Sequence, residues 1–347
     1  MTLTRVFVSA LGAETASLET LQRILSIMAF WFFLTIPVLI WLGIVIFDFI
    51  EGKTLIHDLW DEKRIERLSL DELDQLWSEN RNRSDIVFSL TTTPSRMLHI
   101  ESTLKTLLRQ SRAPQEIRLN IPVWSKREEM GYEVPDRIRN LKSIKIVECE
   151  DYGPATKLIP SVLELDQDQK IIVVDDDRHY PRNLLEDLEK ASSEKPDSAF
   201  GFCGWIVPPD LVHRPATAYT IIFIKPPAPI LARRIRRQHA IDVLRGVSGY
   251  LVKPRFFDKA ALVDYADAPD VIFFVDDVWI SAHCQAPKFV IPTKRSNYAP
   301  IRNRAFYHQT SLGWVNSSGS EVEKRNNSVA VQYFSDVWRV GGLNSRS

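Results

Sequence analysis

Two groups of carboxylates stand out in the chain. Asp175, Asp176 and Asp177 directly follow four branched apolar residues, Ile171 to Val174. Asp276 and Asp277 sit inside the apolar run Phe273-Phe274-Val275-Asp-Asp-Val278-Trp279-Ile280. Three adjacent anions repel one another, and burying them without a counter-charge is costly. A hard divalent cation, Mg²⁺ or Mn²⁺, is a natural compensator for such a set. A solvated acidic turn is the plainer reading of the same three residues. The second pair suits a different chemistry. Desolvation raises a carboxylate pKa, and a like-charged neighbour raises it further, which tunes a group toward general-base work. Two acids that stabilise a helix N-terminus are the alternative there.

Other residues fit around these acids. Lys157 closes the stretch Tyr152-Gly-Pro-Ala-Thr-Lys157, a tight turn with a cation at a helix start, where phosphate can be met. Thr91, Thr92 and Arg96 lie in Thr91-Thr-Thr-Pro-Ser-Arg96, just beyond an apolar strand. Gly246-Val-Ser248-Gly249 precedes another, and its glycines permit close backbone approach to a ligand, or simply a turn.

The elements that must position these residues follow from periodicity. Ile86 to Leu90, Glu116 to Ile121, Lys145 to Val147 and Ile171 to Val174 read as strands. Ile100, Leu104, Leu107 and Leu108 mark one helical face; Leu184, Leu185 and Leu188 mark another after Pro181, and residues 157 to 165 read as helical. Strands alternating with helical patterns predict βαβ units, and thus an α/β domain with a mostly parallel sheet. In open sheets of this kind ligands sit at the carboxyl ends of the strands, where the Asp triplet falls.

Bulk composition narrows the function. The 347 residues allow a membrane segment plus one domain. Forty-four basic and 44 acidic residues cancel, so no global field suggests nucleic acid. Cys149, Cys203 and Cys284 are far apart and form neither a zinc spacing nor a disulfide framework. Residues 24 to 47 carry no charge, which predicts one transmembrane helix with Pro37 near its middle. Arg5 and Arg23 precede it, whereas Lys53, Lys63, Arg64 and Arg67 follow, so the positive-inside bias puts the domain on the cytoplasmic face. The triplets at Asn82, Asn316 and Asn326 would suit a lumenal domain, but such triplets arise by chance. Residues 51 to 84 mix charges with spaced leucines, and Ser69-Leu-Asp-Glu72 is a capping box. They read as a helical stalk, or as a surface helix on lipid headgroups.

The ordered set, from Thr-Thr-x-Pro-Ser-Arg through Tyr-Gly-Pro-Ala-Thr-Lys, Val-Asp-Asp-Asp and Gly-x-x-Gly to Asp276-Asp-Val-Trp-Ile-Ser281, resembles GT-A-fold glycosyltransferases, closest to the family-2-like, inverting group with a DxD motif. The resemblance covers about residues 85–310 and implies a GT-A, Rossmann-like mixed sheet. Together with the uncharged run, it divides the chain into a tail at 1–23, the transmembrane helix at 24–47, a stalk or linker at 48–84, the transferase domain at 85–310 and an extension at 311–347. It implies transfer of a sugar from a nucleotide-diphosphate donor to the hydroxyl of a glycan or lipid-linked acceptor, with Mn²⁺ or Mg²⁺.

Asp177, with Asp175, would hold that metal. His308, near Arg302 and Arg304, is a further candidate ligand. Asp175 or Asp176 would face ribose or sugar, with Thr91, Thr92, Arg96 and Lys157 also around the donor. Gly246, Ser248, Gly249 and Trp279 would border sugar and acceptor. Asp277 would be the base and Asp276 would orient the acceptor, although the family usually has Glu at position 276. Two other readings share these features: a nucleotidyltransferase of related fold, and an inactive membrane-tethered module that binds a sugar nucleotide. The first would normally show a glycine-rich basic signature near the first strand, which Thr91 to Arg96 is not. Acids retained at both sites weigh against the second. The basic run Arg233-Arg-Ile-Arg-Arg237 after Pro226-Pro-Ala-Pro229 fits a loop touching donor phosphate or anionic lipid, or a solvated face.

Overall fold

Short runs of branched and aromatic residues build an eight-stranded sheet, whose strands we number in chain order: β1 Val87–Leu90, β2 Glu116–Pro122, β3 Ile144–Cys149, β4 Ile171–Val173, β5 Ala199–Gly201, β6 His239–Ile241, β7 Tyr250–Val252 and β8 Lys288–Val290. The computed structural model describes residues 3–300, 306–307, 312, 316 and 321–343, with side chains at 23 and from 25 onward. The spatial order is β6-β8-β5-β7-β4-β1-β2-β3. β1 pairs parallel with β2 and β4, β2 with β3, and β5 with β8, while β7 runs antiparallel between β4 and β5 and β6 closes the edge antiparallel to β8. The sheet is therefore mixed and mostly parallel, as the alternation of elements requires.

β4 is the pivot. Val87 lies opposite Ile171 in the parallel pair, and Tyr250 opposite Val173 in the antiparallel one. Its residues Ile171 to Val174 are fully buried, because both faces of the sheet are covered by helices. The core includes Leu104 and Leu107 of the helix Glu101–Leu108, Ile159 and Val162 of Ile159–Glu164, and Leu184, Leu185 and Leu188 of Leu184–Glu194. The predicted helix at 157 to 165 begins instead as a 3₁₀ turn over Gly153–Lys157. Gly153 adopts φ +60°, and a Cβ there would meet the Phe273 carbonyl at 2.7 Å, so the turn demands glycine.

The stretch read as a stalk is part of this body. The helices Leu55–Glu66 and Leu70–Glu79 follow in chain order, and Ser69 caps the second by accepting the Glu72 N–H. Leu70 and Leu73 enter the main core. Asp74 accepts the amides of Lys142 and Ser143 at 3.0 and 2.8 Å. The leucine spacing marked helices correctly; the buried Asp74, whose partners lie about seventy residues away, has no sequence signal.

The chain divides into two units, Met1–Glu51 and Gly52–Ser347. The first is one helix, Leu3–Glu51. Its segment Leu25–Glu51 is long and apolar enough to cross a membrane, with mean hydropathy 2.5. At 1.5 Å per residue its 27 residues span about 40 Å, more than the roughly 30 Å of a hydrocarbon core. The helix extends beyond the uncharged run at both ends, because Leu, Ala and Glu continue it and Pro37 is its one internal proline.

Candidate active site

The tip of β4 places the Asp triplet. Val174 still donates its amide to Ser89 of β1, at 3.1 Å, and the chain then leaves the sheet. The three carboxylates that follow take different partners. Asp175 Oδ1 lies 2.7 Å from Lys157 Nζ, and its amide donates to the Tyr180 hydroxyl at 2.8 Å. Asp176 turns inward, where it accepts from Thr92 Oγ1 at 2.5 Å and Arg96 Nη1 at 3.0 Å. The Asp176 carbonyl accepts from Thr103 Oγ1 at 2.7 Å. Asp177 faces Arg178 Nε at 3.2 Å and Arg96 Nη1 at 3.8 Å.

The second acid pair arrives at the start of the helix Asp276–His283, where two acids favour the N-terminal end of the helix dipole. Lys157 joins the two groups. Its ammonium lies 2.6 Å from Asp276 Oδ2 and 4.0 Å from Asp277 Oδ1, in addition to its contact with Asp175. Residues about a hundred positions apart thus share one buried cation. Gly246 donates its amide to Asp277 Oδ1 at 2.9 Å. A Cβ at position 246 would lie 2.3 Å from Lys157 Nζ and 2.9 Å from Asp175 Oδ1, so glycine is what lets the third segment approach.

Burial and charge set the protonation of this cluster. Burial opposes ionisation of Asp175, but Lys157 outweighs it and holds the carboxyl below its usual range. Burial lifts Asp176 to about 6 against the pull of Arg96. Burial, then the adjacent Asp276, lifts Asp277 to about 7 despite Lys157. The Asp277 carboxyl is 30% exposed and opens to the cleft, while the Lys157 side chain is 7% exposed. Lys157 itself is desolvated, yet Asp175, Asp276 and Asp277 raise its pKa well above the usual lysine value.

These groups line a cleft of about 670 Å³ that also includes Thr91, Thr92, Arg96 and Val247. A pocket of that size suits a ligand as large as a nucleotide sugar. Sequence reading therefore brought together Thr91, Thr92, Arg96, Lys157, both acid groups and Gly246. Ser248 and Gly249 lie behind this wall: Ser248 is buried beside Cys203, and the Gly249 carbonyl accepts the Phe202 amide at 3.2 Å. Trp279 does not reach the cleft. It is 1% exposed, stacks on Tyr265 with centroids 3.9 Å apart, and donates its indole N–H to the Leu262 carbonyl at 3.0 Å. Two residues beyond Asp277 is about 200° around a helix, which turns Trp279 into the core. His308 lies outside the described residues.

Several cleft residues carried no sequence signal. Arg245, immediately before the glycine stretch, lines the cleft half-buried, beside Cys203 and Asp277. Arg127, from a loop after β2, has its pKa lowered by burial and by Arg96. Tyr132 donates its hydroxyl to the Thr92 carbonyl at 3.0 Å and fixes that loop. Asn316 donates to the Phe274 carbonyl at 2.7 Å and accepts from Asn326 Nδ2 at 3.0 Å, and Asn82 Oδ1 accepts from Arg112 Nε at 3.3 Å, so the asparagine side chains of all three triplets are engaged by the protein.

Among the described residues no group of three or more His, Cys, Asp or Glu is placed to hold a metal by itself. Mg²⁺-type sites commonly use one or two carboxylates plus substrate phosphates. Asp177 fits such a site, since its hard oxygen donors remain 16% exposed at the cleft. Asp175 is 26% exposed, and Lys157 engages one of its oxygens, Oδ1.

No family model and no curated protein matches this chain. Solved structures do. The mannosyltransferase PcManGT from Pyrobaculum calidifontis, in complex with GDP-Man and Mn²⁺, is 14% identical over 84% of this chain and 80% of that one, with a TM-score of 0.38. GalNAc-T7 with UDP, GalNAc and Mn²⁺ is 11% identical over 61% of this chain and 43% of that one, at 0.39. A 4-diphosphocytidyl-2C-methyl-D-erythritol synthase is 12% identical over 60% and 89%, at 0.36. At these identities and scores the functional reading rests on the chain's own residues.

Proposed function

We propose that this chain is a membrane-anchored glycosyltransferase of the GT-A type, which moves a sugar from a nucleotide-diphosphate donor to an acceptor hydroxyl with inversion. The observation that carries the reading is the bridge made by Lys157, 2.7 Å from Asp175 and 2.6 Å from Asp276. It joins the carboxylate at the end of β4 to the Asp276-Asp277 pair, which supports a donor site and a general base lying side by side. Asp277, partly open and lifted to about 7, removes the proton of the acceptor hydroxyl. The acceptor oxygen then forms its bond to the anomeric carbon from the far face as the bond to the phosphate oxygen breaks. Gly246 N–H holds one Asp277 oxygen, which fixes the direction of the other. Asp276 keeps Lys157 in place, and Arg96 and Arg127, which line the same cleft, hold the phosphates. Asp177 would hold Mn²⁺ or Mg²⁺, which would supply Lewis-acid stabilisation of the leaving diphosphate. His308 stays a candidate second ligand. Asp175 or Asp176 faces the ribose or sugar, with Thr91 and Thr92 beside them.

The apolar helix anchors the chain, and the basic residues just beyond it put the catalytic domain on the cytoplasmic side. The acceptor is a glycan or a lipid-linked hydroxyl. The test is a panel of nucleotide sugars incubated with the full chain in detergent or nanodiscs, with Mn²⁺, with Mg²⁺ and in excess chelator, and products followed by mass spectrometry. One donor is consumed only when the ion is present. Consumption at the full rate in chelator would overturn the metal role, and no consumption of any donor would leave a binding module as the better reading.

A further inference from the structure

The helix Leu55–Glu66 is amphipathic in reverse. Its buried positions are Asp58, Glu62 and Ile65, while Ile56, Leu59 and Trp60 are exposed, Trp60 by 72%. Asp61 docks it by pairing with Arg109 at 2.8 Å and accepting from the Tyr298 hydroxyl at 3.2 Å. The outward stripe at positions 56, 59 and 60 continues as exposed Lys63, Arg64 and Arg67, the spacing of one helical face. Apolar groups outside and carboxylates inside is the opposite of a surface helix in water.

A second element repeats the pattern. The helix Ala218–Phe223 has no buried residue, and Tyr219, Ile222 and Phe223 stand 56%, 56% and 60% exposed. The two helices are tied to one basic strip: Arg234 donates to the Ile221 carbonyl and Arg233 to the Lys53 carbonyl, and Arg233 Nε reaches the Lys294 carbonyl at 3.3 Å. Arg236, Arg237, Lys294 and Arg295 along it are partly or fully exposed.

We infer that this face, with Trp60 and Phe223 as its apolar anchors and Arg236 and Arg237 as its charges, lies on an anionic lipid surface. Three observations select that occupant over a second protein. Exposed aromatics combined with arginines match the depth profile of a bilayer interface, where rings sit among acyl ends and guanidinium groups among phosphates. The charge is of one sign along the strip, which anionic headgroups complement. The strip also holds Gly52 and Lys53, whose carbonyls accept from Ser296 and Arg233, and these residues directly follow the apolar helix in the chain. Pro227 and Pro229, just after Phe223, line the cleft, so the docked edge borders the cleft mouth and would admit an acceptor held in the same lipid layer. This last step deepens the proposed transfer reaction and rests on it; the docking does not.

The test is hydrogen exchange on the full chain in nanodiscs of zwitterionic lipid, in nanodiscs with anionic phosphatidylglycerol, and in detergent. Each basic side chain near an anionic surface contributes about fivefold to binding. Amides of 218–223 and the outer face of 55–66 should therefore exchange at least roughly tenfold more slowly in anionic nanodiscs than in zwitterionic ones. Arg236→Glu with Arg237→Glu, both at exposed positions, should remove that difference while exchange of β4 amides stays unchanged. Equal exchange in the two lipid compositions overturns the inference. Protection that appears in detergent and grows with protein concentration also overturns it, assigning the face to a second copy. Neither readout uses turnover, so a chain that transferred no sugar would still decide the question.

Discussion

Two buried regions of acid in this molecule behave in opposite ways. Asp242 is 1% exposed, and its two oxygens accept four backbone amides, from Val207, Arg339, Val340 and Gly341, at 2.8 to 3.0 Å. Asp277 lies on the neighbouring wall of the same body, accepts one amide from Gly246, and shares a lysine with two other acids. Backbone amides cannot move away or change charge, so Asp242 is a staple that pins the C-terminal segment to the sheet. Burial, and then the adjacent Asp276, lift Asp277 to about 7 against the pull of Lys157, and its carboxyl opens to the cleft. The two acids differ in both partners and exposure: fixed backbone amides hold the buried Asp242, whereas Asp277 shares a side-chain cation and is 30% exposed.

The contrast can be broken most severely at Lys157. Lys157→Met leaves Asp175, Asp276 and Asp277 without their shared cation. Transfer should fall by about 10²–10³-fold, as when a preorganised electrostatic group is removed, and stability should fall by about 3–5 kcal/mol for the orphaned buried charges. Transfer assays beside a denaturant titration check both. A variant that kept its turnover would place the chemistry elsewhere.

The pH dependence sharpens it next. A base must be unprotonated to accept a proton, and Asp277 is lifted to about 7. kcat/KM should therefore drop about tenfold per pH unit below 7. Stability should move the other way. The folded Asp277 holds its proton up to about 7, against a reference value of 3.8, so it binds more protons than the unfolded chain between those values. Its contribution to stability is present below about pH 4 and is lost as pH rises through 7. Activity that was flat from pH 5 to 7 would contradict the assignment.

Asp242→Asn is the smallest expected effect on chemistry. Turning an oxygen into an amide sets donor against donor at two backbone N–H groups, which should cost about 2–4 kcal/mol of stability. The turnover of the folded fraction should not change. A large loss of kcat with unchanged stability would erase the distinction between the two regions.

Much of the cleft's candidate residue set was legible because those residues announce themselves in sequence. An Asp triplet after an apolar strand, a Gly-Pro turn ending in Lys157, and Asp276-Asp277 within aromatic residues are local signals. Their common cleft is a consequence of sheet order, which brings β4 and β7 together. Arg245, Arg127 and Tyr132 were not legible, since single residues in loops have no periodicity to betray them. Trp279 was misassigned by adjacency: proximity to Asp277 along the chain means the opposite side on a helix.

The most direct test of the central claim compares Asp277→Asn with the native chain, using whichever donor the panel identifies and measuring donor affinity and transfer in the same preparation with Mn²⁺. The account predicts equal donor affinity and about 10³-fold slower transfer in the variant. Transfer at the native rate would contradict it.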